Sequence, residues 1–341
     1  FGPARGPWAD RQPVNRRVWL VAYVLSGALM ALYPAASVAA ALAIVEGAGR
    51  QAGWATPLTA DTAGEATRAA LAWAPVGSLL AFAVLVVLVG VSVRALAVGL
   101  TPGHYPVQGR VAWQAWATLR LLDEARTWLF PLYSGALTPW WLRVLGARIG
   151  KDVEASTVLL IPGLVTVGDG AFLADDTLIG GYELGGGWLR VEQVKVGKHA
   201  FVGNSGMAAP GRKVPKRGLV AVLSAAPRRG KAKRGTSWLG SPPTPLRRQL
   251  TTADRTRTYR PTRRLRVARG AVETCRSLAV LMSLLGTIDR TVDPAMANLR
   301  DTLKSANASI KTLEAAIADA RPGLKTFSDT TVPEANALIR D

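Results

Sequence analysis

Apolar and polar positions divide this chain into three regimes. Val18 to Val45 runs 28 residues without a charge, and Ala69 to Val93 runs another 25. At about 1.5 Å per residue the first run makes a helix longer than the ~30 Å hydrocarbon core of a bilayer. Each therefore predicts a spanning helix, the first with a kink at Pro34, and the two together a transmembrane hairpin. From Ile149 to Met207 the pattern changes. Aliphatic-glycine pairs stand at Ile149-Gly150, Val167-Gly168, Ile179-Gly180, Val196-Gly197 and Val202-Gly203. Their spacings are 18, 12, 17 and 6 residues. A return at multiples of six predicts a left-handed parallel β-helix of hexapeptide turns, with one aliphatic side chain inward per flat side and small residues at the corners. The single break in phase, between 179 and 196, predicts an extruded loop at Gly185-Gly186-Gly187. An ordinary β-rich domain with many glycine turns is the plainer alternative. Beyond residue 277 the spacing becomes three and four, as at Leu299, Leu303, Ala306, Ile310, Leu313 and Ile317, which predicts an amphipathic helix.

These patterns give a domain order. Residues 1–17 are a basic N-terminal segment, 18–45 and 69–93 the two spans, and 46–68 the loop between them. Residues 94–147 are Trp-rich interfacial helices, 148–225 the β-helix, 226–276 a basic arm and 277–341 the helical tail. In the 94–147 segment Trp113, Trp116, Trp128, Trp140 and Trp141 fit an aromatic belt at headgroup depth. They fit equally well a cap on the end of the β-helix.

Charge changes the picture in two ways. The net charge is +19, and arginines flank both spans on the side away from their joining loop. That places both ends, and the β-helix, on the cytoplasmic side of a bacterial membrane. Pro210 to Gly270 holds 18 Lys and Arg against one acid. Trp238 and Tyr259 are its only aromatic residues, too few for the stacking platforms of single-stranded nucleic-acid binders. Anionic membrane lipid is the expected partner, at about 1 kcal/mol per basic residue near the surface. One cysteine, Cys275, and two histidines, His104 and His199, exclude internal disulfides, cysteine metal sites and multi-histidine metal sites. No metal cofactor is expected.

Three segments carry a resemblance. They are Thr138-Pro-Trp-Trp-Leu-Arg-Val-Leu-Gly-Ala-Arg-Ile-Gly150, Val202-Gly-Asn-Ser-Gly-Met207 continuing through Pro210 to Gly218, and Gly235-Thr-Ser-Trp-Leu-Gly-Ser-Pro-Pro243. Together they resemble the membrane-embedded C-terminal region of non-ribosomal peptide synthetase-like proteins, the ε-poly-lysine synthetase type, over about residues 14–276. The resemblance implies transmembrane helices alternating with cytoplasmic hexapeptide-like domains. It also implies joining of aminoacyl units carried as thioesters on a phosphopantetheine arm. The adenylation and carrier domains that would load that arm are absent from this chain, and only one membrane-plus-hexapeptide unit is present. The tail from about Leu285 resembles the helical C-terminal part of Mce-type lipid-transport proteins. Ser277 to Ile288 is an uncharged stub too short to cross a bilayer, so a junction between unrelated segments near residue 280 is one reading of the tail.

Amide formation needs a base near the attacking nitrogen and donors for the tetrahedral oxyanion. His199, on a coil corner, is the candidate base; an exposed corner histidine can equally be structural. Asn204 and Ser205 are candidates to polarise the thioester carbonyl. Ser237, in the Gly235 to Pro243 loop, is expected on a lid or channel wall, stiffened by Pro242 and Pro243. Glu183 and Glu192 are further candidate bases. Arg212, Lys213, Lys216 and Arg217 are expected to receive the pantetheine phosphate. The alternatives are a stand-alone hexapeptide-type acyltransferase using acyl-CoA and a non-enzymatic scaffold or lipid-transport component. Whether the chain forms an oligomer stays open.

Overall fold

The computed structural model describes residues 17–228, 233–247, 262–265, 267–272, 275 and 311–312. Phe1–Gly270 form one compact unit and Ala271–Asp341 a second, of which few residues are described. The basic N-terminal segment to residue 16, much of the basic arm and nearly all of the helical tail lie outside the described residues.

The first apolar run is two helices, α1 (Val18–Ala31) and α2 (Tyr33–Ala52), bent by 47° at the break between them. Pro34 stands in the first turn of α2, where its missing N–H costs nothing and its ring meets no preceding turn. Helix α2 passes the end of the apolar run because Glu46 turns inward. Its buried carboxylate accepts the Leu58 N–H at 2.8 Å and the Thr56 hydroxyl. Gly53, at φ +68°, closes the helix. Helix α3 (Ala63–Leu96) starts on Thr62, whose hydroxyl accepts the Glu65 N–H at 3.2 Å. The joining loop is therefore shorter than the 46–68 expected. Among the described residues α3 alone is long and apolar enough to cross a membrane by itself; the bent α1–α2 pair passes the same test together. Only 22% of the most apolar window of α3 is buried, unlike the core helix of a globular domain.

After α3 the chain forms a short strand β1 (Gly103–Pro106) and the long helix α4 (Arg110–Trp128). Two short helices follow, α5 (Phe130–Tyr133) and α6 (Thr138–Leu145). Helix α4 is a middle layer. Trp113 and Trp116 pack on Trp19 and Tyr23 of α1, with ring centroids 6.0 and 4.9 Å apart. Ala112 and Ala115 pack against Ile161, Leu164, Leu189 and Val191 beyond it. Small residues here let the helix approach closely. Helix α6 supplies the end cap of the next element through fully buried Trp141, Leu142 and Leu145, while Trp140 stays half exposed. Trp141 is thus a cap, and Trp113 and Trp116 cement two helices.

The chain then winds into a three-sided parallel β-helix. Each coil gives one strand to each side: β2 (Arg148–Ile149), β3 (Glu154–Ala155) and β4 (Leu159–Leu160), then β5 (Val165–Val167), β6 (Phe172–Leu173) and β7 (Leu178–Ile179). A hairpin of β8 (Glu183–Gly185) and β9 (Trp188–Val191) interrupts the winding. It resumes with β10 (Val194–Val196), β11 (Phe201–Val202), β12 (Met207–Ala208), β13 (Lys213–Val214) and β14 (Leu219–Val220). Strands β15 (Ser237–Leu239) and β16 (Thr244–Leu246) end the element. The first side stacks β2, β5, β10 and β13, the second β3, β6, β11, β14 and β15, and the third β4, β7 and β12.

The inward positions step by six: Ile149, Ala155, then Val167, Leu173, Ile179, and after the hairpin Val196, Val202, Ala208, Val214 and Val220, all buried. The first coil slips once. Leu160, not Ile161, aligns with Ile179, and Ile161 turns out to meet α4. From Ile179 to Val196 the 17 residues are one six-residue step plus eleven extra, which leave the prism as β8–β9. Their turn, Gly186-Gly187, has φ +54° and +79°, the pair of positive values a two-residue hairpin turn of type I′ requires. Strand β1 pairs antiparallel with β9, Gly103 opposite Val191. That pairing has no counterpart in the sequence expectations.

The corners are tight. A Cβ on Gly197 would lie 2.5 Å from Lys216 N and 2.7 Å from Pro215 C. Both are backbone atoms of the next coil. Gly197→Ala is expected to lower stability by about 1–3 kcal/mol through overpacking; an unchanged thermal midpoint would show that the coil can part.

The β-helix also runs past residue 225. Strand β15 pairs parallel with β14, placing Trp238 above Val220 in the inward column, 5% exposed. The Gly235 to Pro243 segment is therefore the closing coil rather than a wall beside a channel. Twelve residues separate Ala226 from Trp238, two six-residue steps, so the phase survives, and the large indole plugs the open end.

Candidate functional site

The two described corners that flank the second side are built from residues in the left-handed region. Between the first and second sides stand Asp152, Gly170, His199, Arg217 and Gly235, with φ from +51° to +74°. Between the second and third stand Thr157, Asp176, Ser205 and Leu223, with φ from +44° to +56°. Each column holds one residue per coil, so side chains far apart in sequence become vertical neighbours about 4.8 Å apart.

His199 sits in the first column. Its N–H donates to the Asp169 carbonyl at 2.9 Å. Its ring lies over Gly170, where an added Cβ would come 2.4 Å from Nδ1. Beside it the Asp169 carboxylate accepts from Lys198 Nζ at 2.6 Å and from the Lys151 N–H at 3.0 Å. The Lys198 bond, then the Lys151 amide, hold that carboxyl below its ordinary pKa. Arg217 is one coil on, its N–H bonded to the Lys198 carbonyl at 2.9 Å. The fold thus brings together His199, Lys216 and Arg217.

It does not bring the remaining candidates to them. Asn204 and Ser205 are exposed in the second column; the Ser205 N–H donates to the Asp175 carbonyl at 2.9 Å. Five to six residues of chain, at most about 20 Å, separate them from His199. Across that gap lie Phe172 and Phe201, stacked at 5.2 Å and both partly exposed. Ser237 is 3% exposed and its Oγ has no hydrogen-bond partner. A hydroxyl sealed into the closing coil does not reach a substrate.

The four candidate phosphate ligands are also divided. Lys213 is exposed on the first side, and Lys216 and Arg217 stand at one end of β13. Arg212 stands at the other end, half-buried by the hairpin. Burial pulls its guanidinium below the ordinary arginine value. Glu183 and Glu192 both engage Arg190, Glu183 at 2.9 Å, so neither is a free base.

One feature was not legible in the sequence. Where α4 meets the second column an open depression of about 510 Å³ is lined by Asp123, Glu124, Arg126, Thr127, Phe130, Thr157 and Asp176. Arg126 donates to the Thr157 carbonyl at 3.0 Å and to Asp176 at 2.9 Å, and also pairs with Asp123. Only the Asp123 to Arg126 spacing on one helix face hints at it; Asp176 is 50 residues away. Ser205 lies one coil beyond Asp176 on the same column. Its three carboxylates are already paired, Asp123 and Asp176 with Arg126 and Glu124 with Arg120, whereas Asn204 and Ser205 can donate to a carbonyl oxygen. Among the described residues no group of three His, Cys, Asp or Glu is placed to hold a metal.

No family profile matches the chain. A delta-poly-L-ornithine synthetase from Acinetobacter baumannii is 33% identical over 174 residues, covering 50% of this chain and 13% of that protein. Among solved structures, a hexapeptide-repeat acetyltransferase of Vibrio cholerae is 17% identical, with TM-score 0.26 over 31% of this chain and 65% of that one. A maltose O-acetyltransferase of Clostridium difficile is 14% identical, with TM-score 0.30 over 45% and 95%. Scores this low carry no functional weight. The chain spans about one eighth of the length of its curated relative.

Proposed function

We propose that this chain is the membrane-embedded, left-handed β-helix part of a peptide synthetase-like protein, joining aminoacyl units delivered as thioesters on a phosphopantetheine arm. The observation that carries this is the 33% identity to the poly-ornithine synthetase over half of the chain. The exposed apolar faces of α1 and α3, including Val21, Val24, Leu25, Leu79, Val87 and Val91, support the bilayer as their surroundings. In this reading α1–α2 and α3 form the hairpin and the β-helix lies on the cytoplasmic side.

An amine nitrogen attacks the thioester carbonyl carbon, an amide C–N bond forms and the C–S bond breaks. His199 takes the proton from the attacking amine and returns it to the leaving thiolate. The attacking nitrogen and the thioester carbonyl therefore meet at the His199 corner, and Asn204 and Ser205, a full side away, are left to a carbonyl remote from the reacting one. Lys213, Lys216 and Arg217 meet the pantetheine phosphate, with Arg212 beyond them. Adenylation and carrier domains lie outside residues 1–341.

The test is reconstitution of the chain in nanodiscs with free amino acids and either a carrier-loaded aminoacyl thioester or an acyl-CoA, with products read by mass. Peptide bonds from the carrier substrate alone are expected. Transfer from acyl-CoA instead would replace the proposal with a stand-alone acyltransferase, and no product from either would replace it with a scaffold.

A further inference from the structure

The winding of the β-helix sorts the basic residues into a pattern that their order in sequence hides. Lys198, Lys216 and Arg234 are successive rungs of one corner column, 18 residues apart, beside Arg217. Lys195 and Lys213 are paired in register on the adjoining first side. All six are exposed. Lys198 is paired, with Asp169. No ion pair among the described residues engages Lys195, Lys213, Lys216, Arg217 or Arg234.

The position of this edge decides what it meets. Helix α4 covers the third side, through Ala112 and Ala115 at one corner and Arg126 at the other, and α1 and α3 pack on α4 from beyond. The basic edge lies between the first and second sides, opposite the third. Each side is about 17 Å, five residues at about 3.3 Å each, so the edge lies about 14 Å from the third side. That exceeds the Debye length of about 8 Å at physiological ionic strength. Helix α3 also packs on α6, the end cap, so a bilayer holding α1–α3 meets the α4 side and the capped end, and the edge lies on the side that none of these helices covers.

We propose that this edge is a docking surface for a protein presenting an acidic helix, not for membrane lipid. The rungs repeat at about 4.8 Å. Carboxylates at i, i+3 and i+4 on a helix lie about 5–6 Å apart, so one acidic face follows three rungs with little mismatch. This docking role takes the bilayer around α1–α3 from the reading above and shares Lys213, Lys216 and Arg217 with its phosphate contact; the transfer reaction itself does not enter it.

The experiment uses the full chain in phosphatidylcholine nanodiscs and a labelled helical peptide with glutamates at i, i+3, i+4 and i+7, followed by fluorescence anisotropy. Salt-sensitive binding is expected. The triple reversal Lys213→Glu, Lys216→Glu and Arg234→Glu breaks no ion pair and should weaken binding about tenfold or more, since like charges then face each other. The milder pair Lys216→Gln and Arg234→Gln, which keeps the fold safe, should weaken it by a smaller factor. A control pair off the edge, Arg50→Glu and Arg68→Glu on the α2 and α3 ends that flank their joining loop, should leave it nearly unchanged. No binding by the unaltered chain, or equal losses in control and triple variant, overturns the proposal. So does a triple variant that keeps the peptide but loses phosphatidylglycerol vesicles or a single-stranded oligonucleotide, which would assign the edge to lipid or nucleic acid.

Discussion

Trp141→Ala is expected to cost about 3–5 kcal/mol, the range for emptying a fully buried aromatic site. That is a large share of the roughly 5–15 kcal/mol by which a domain is stable. Trp141 has no exposed surface and belongs to the cluster that joins α3, α4 and the first coil. On the α3 side it faces Gly90, where an added Cβ would lie 3.7 Å from the ring. On the other side α6 contacts β2 and β3. No smaller residue spans that distance, so the loss should appear as a broad separation of the helical layer from the β-helix as well as a lower midpoint. Chemical denaturation of the detergent-solubilised chain checks this. A cost below about 1 kcal/mol would mean that the two layers hold together without the cap.

The second large effect is on turnover. His199→Asn is expected to lower kcat on a carrier-bound aminoacyl thioester about 100-fold, the lower range for removing a general base. Asparagine is the substitution of choice because residue 199 has φ +55°, which asparagine, like histidine, adopts more readily than alanine. Thermal stability should therefore hold while activity falls. His199→Ala should show the same catalytic loss with only a small further drop in stability, because histidine already carries the Cβ that disfavours this region. An asparagine variant with full turnover would remove His199 from the transfer step and leave it as a corner residue.

The β-helix was legible because its signal is local. Ile149, Val167 and Val196 each precede a glycine, and six-residue steps connect the inward positions without any long-range knowledge. The failures share a cause. Trp238 stands in the inward column, yet the neighbouring Leu239-Gly240 looks like the repeat pair one residue late, so the closing coil read as a loop. The Leu160 slip depends on Ile161 finding α4. Strand β1 carries only four residues and gains its identity from β9. At the candidate site, the sequence names His199, Asn204 and Ser205 within seven residues, but a prism side puts the first on one corner and the others on the next. Arg126 and Asp176 meet only because α4 lies along the third side. Net charge was plain from composition, whereas its concentration on one edge depends on the 18-residue coil.

The pairing of β1 with β9 has a consequence for how the chain is made. Gly103 waits for Val191, 88 residues later. At roughly 5–20 residues per second of synthesis, that is about 4–18 s. During that interval α1 to α4 have emerged and the strand ahead of α4 has no neighbour to bond. The ribosome therefore delivers the greasy helices well before the segment that fastens β1 behind them, and the eleven-residue hairpin acts as a late clasp. Shortening it would leave the winding intact and the clasp open.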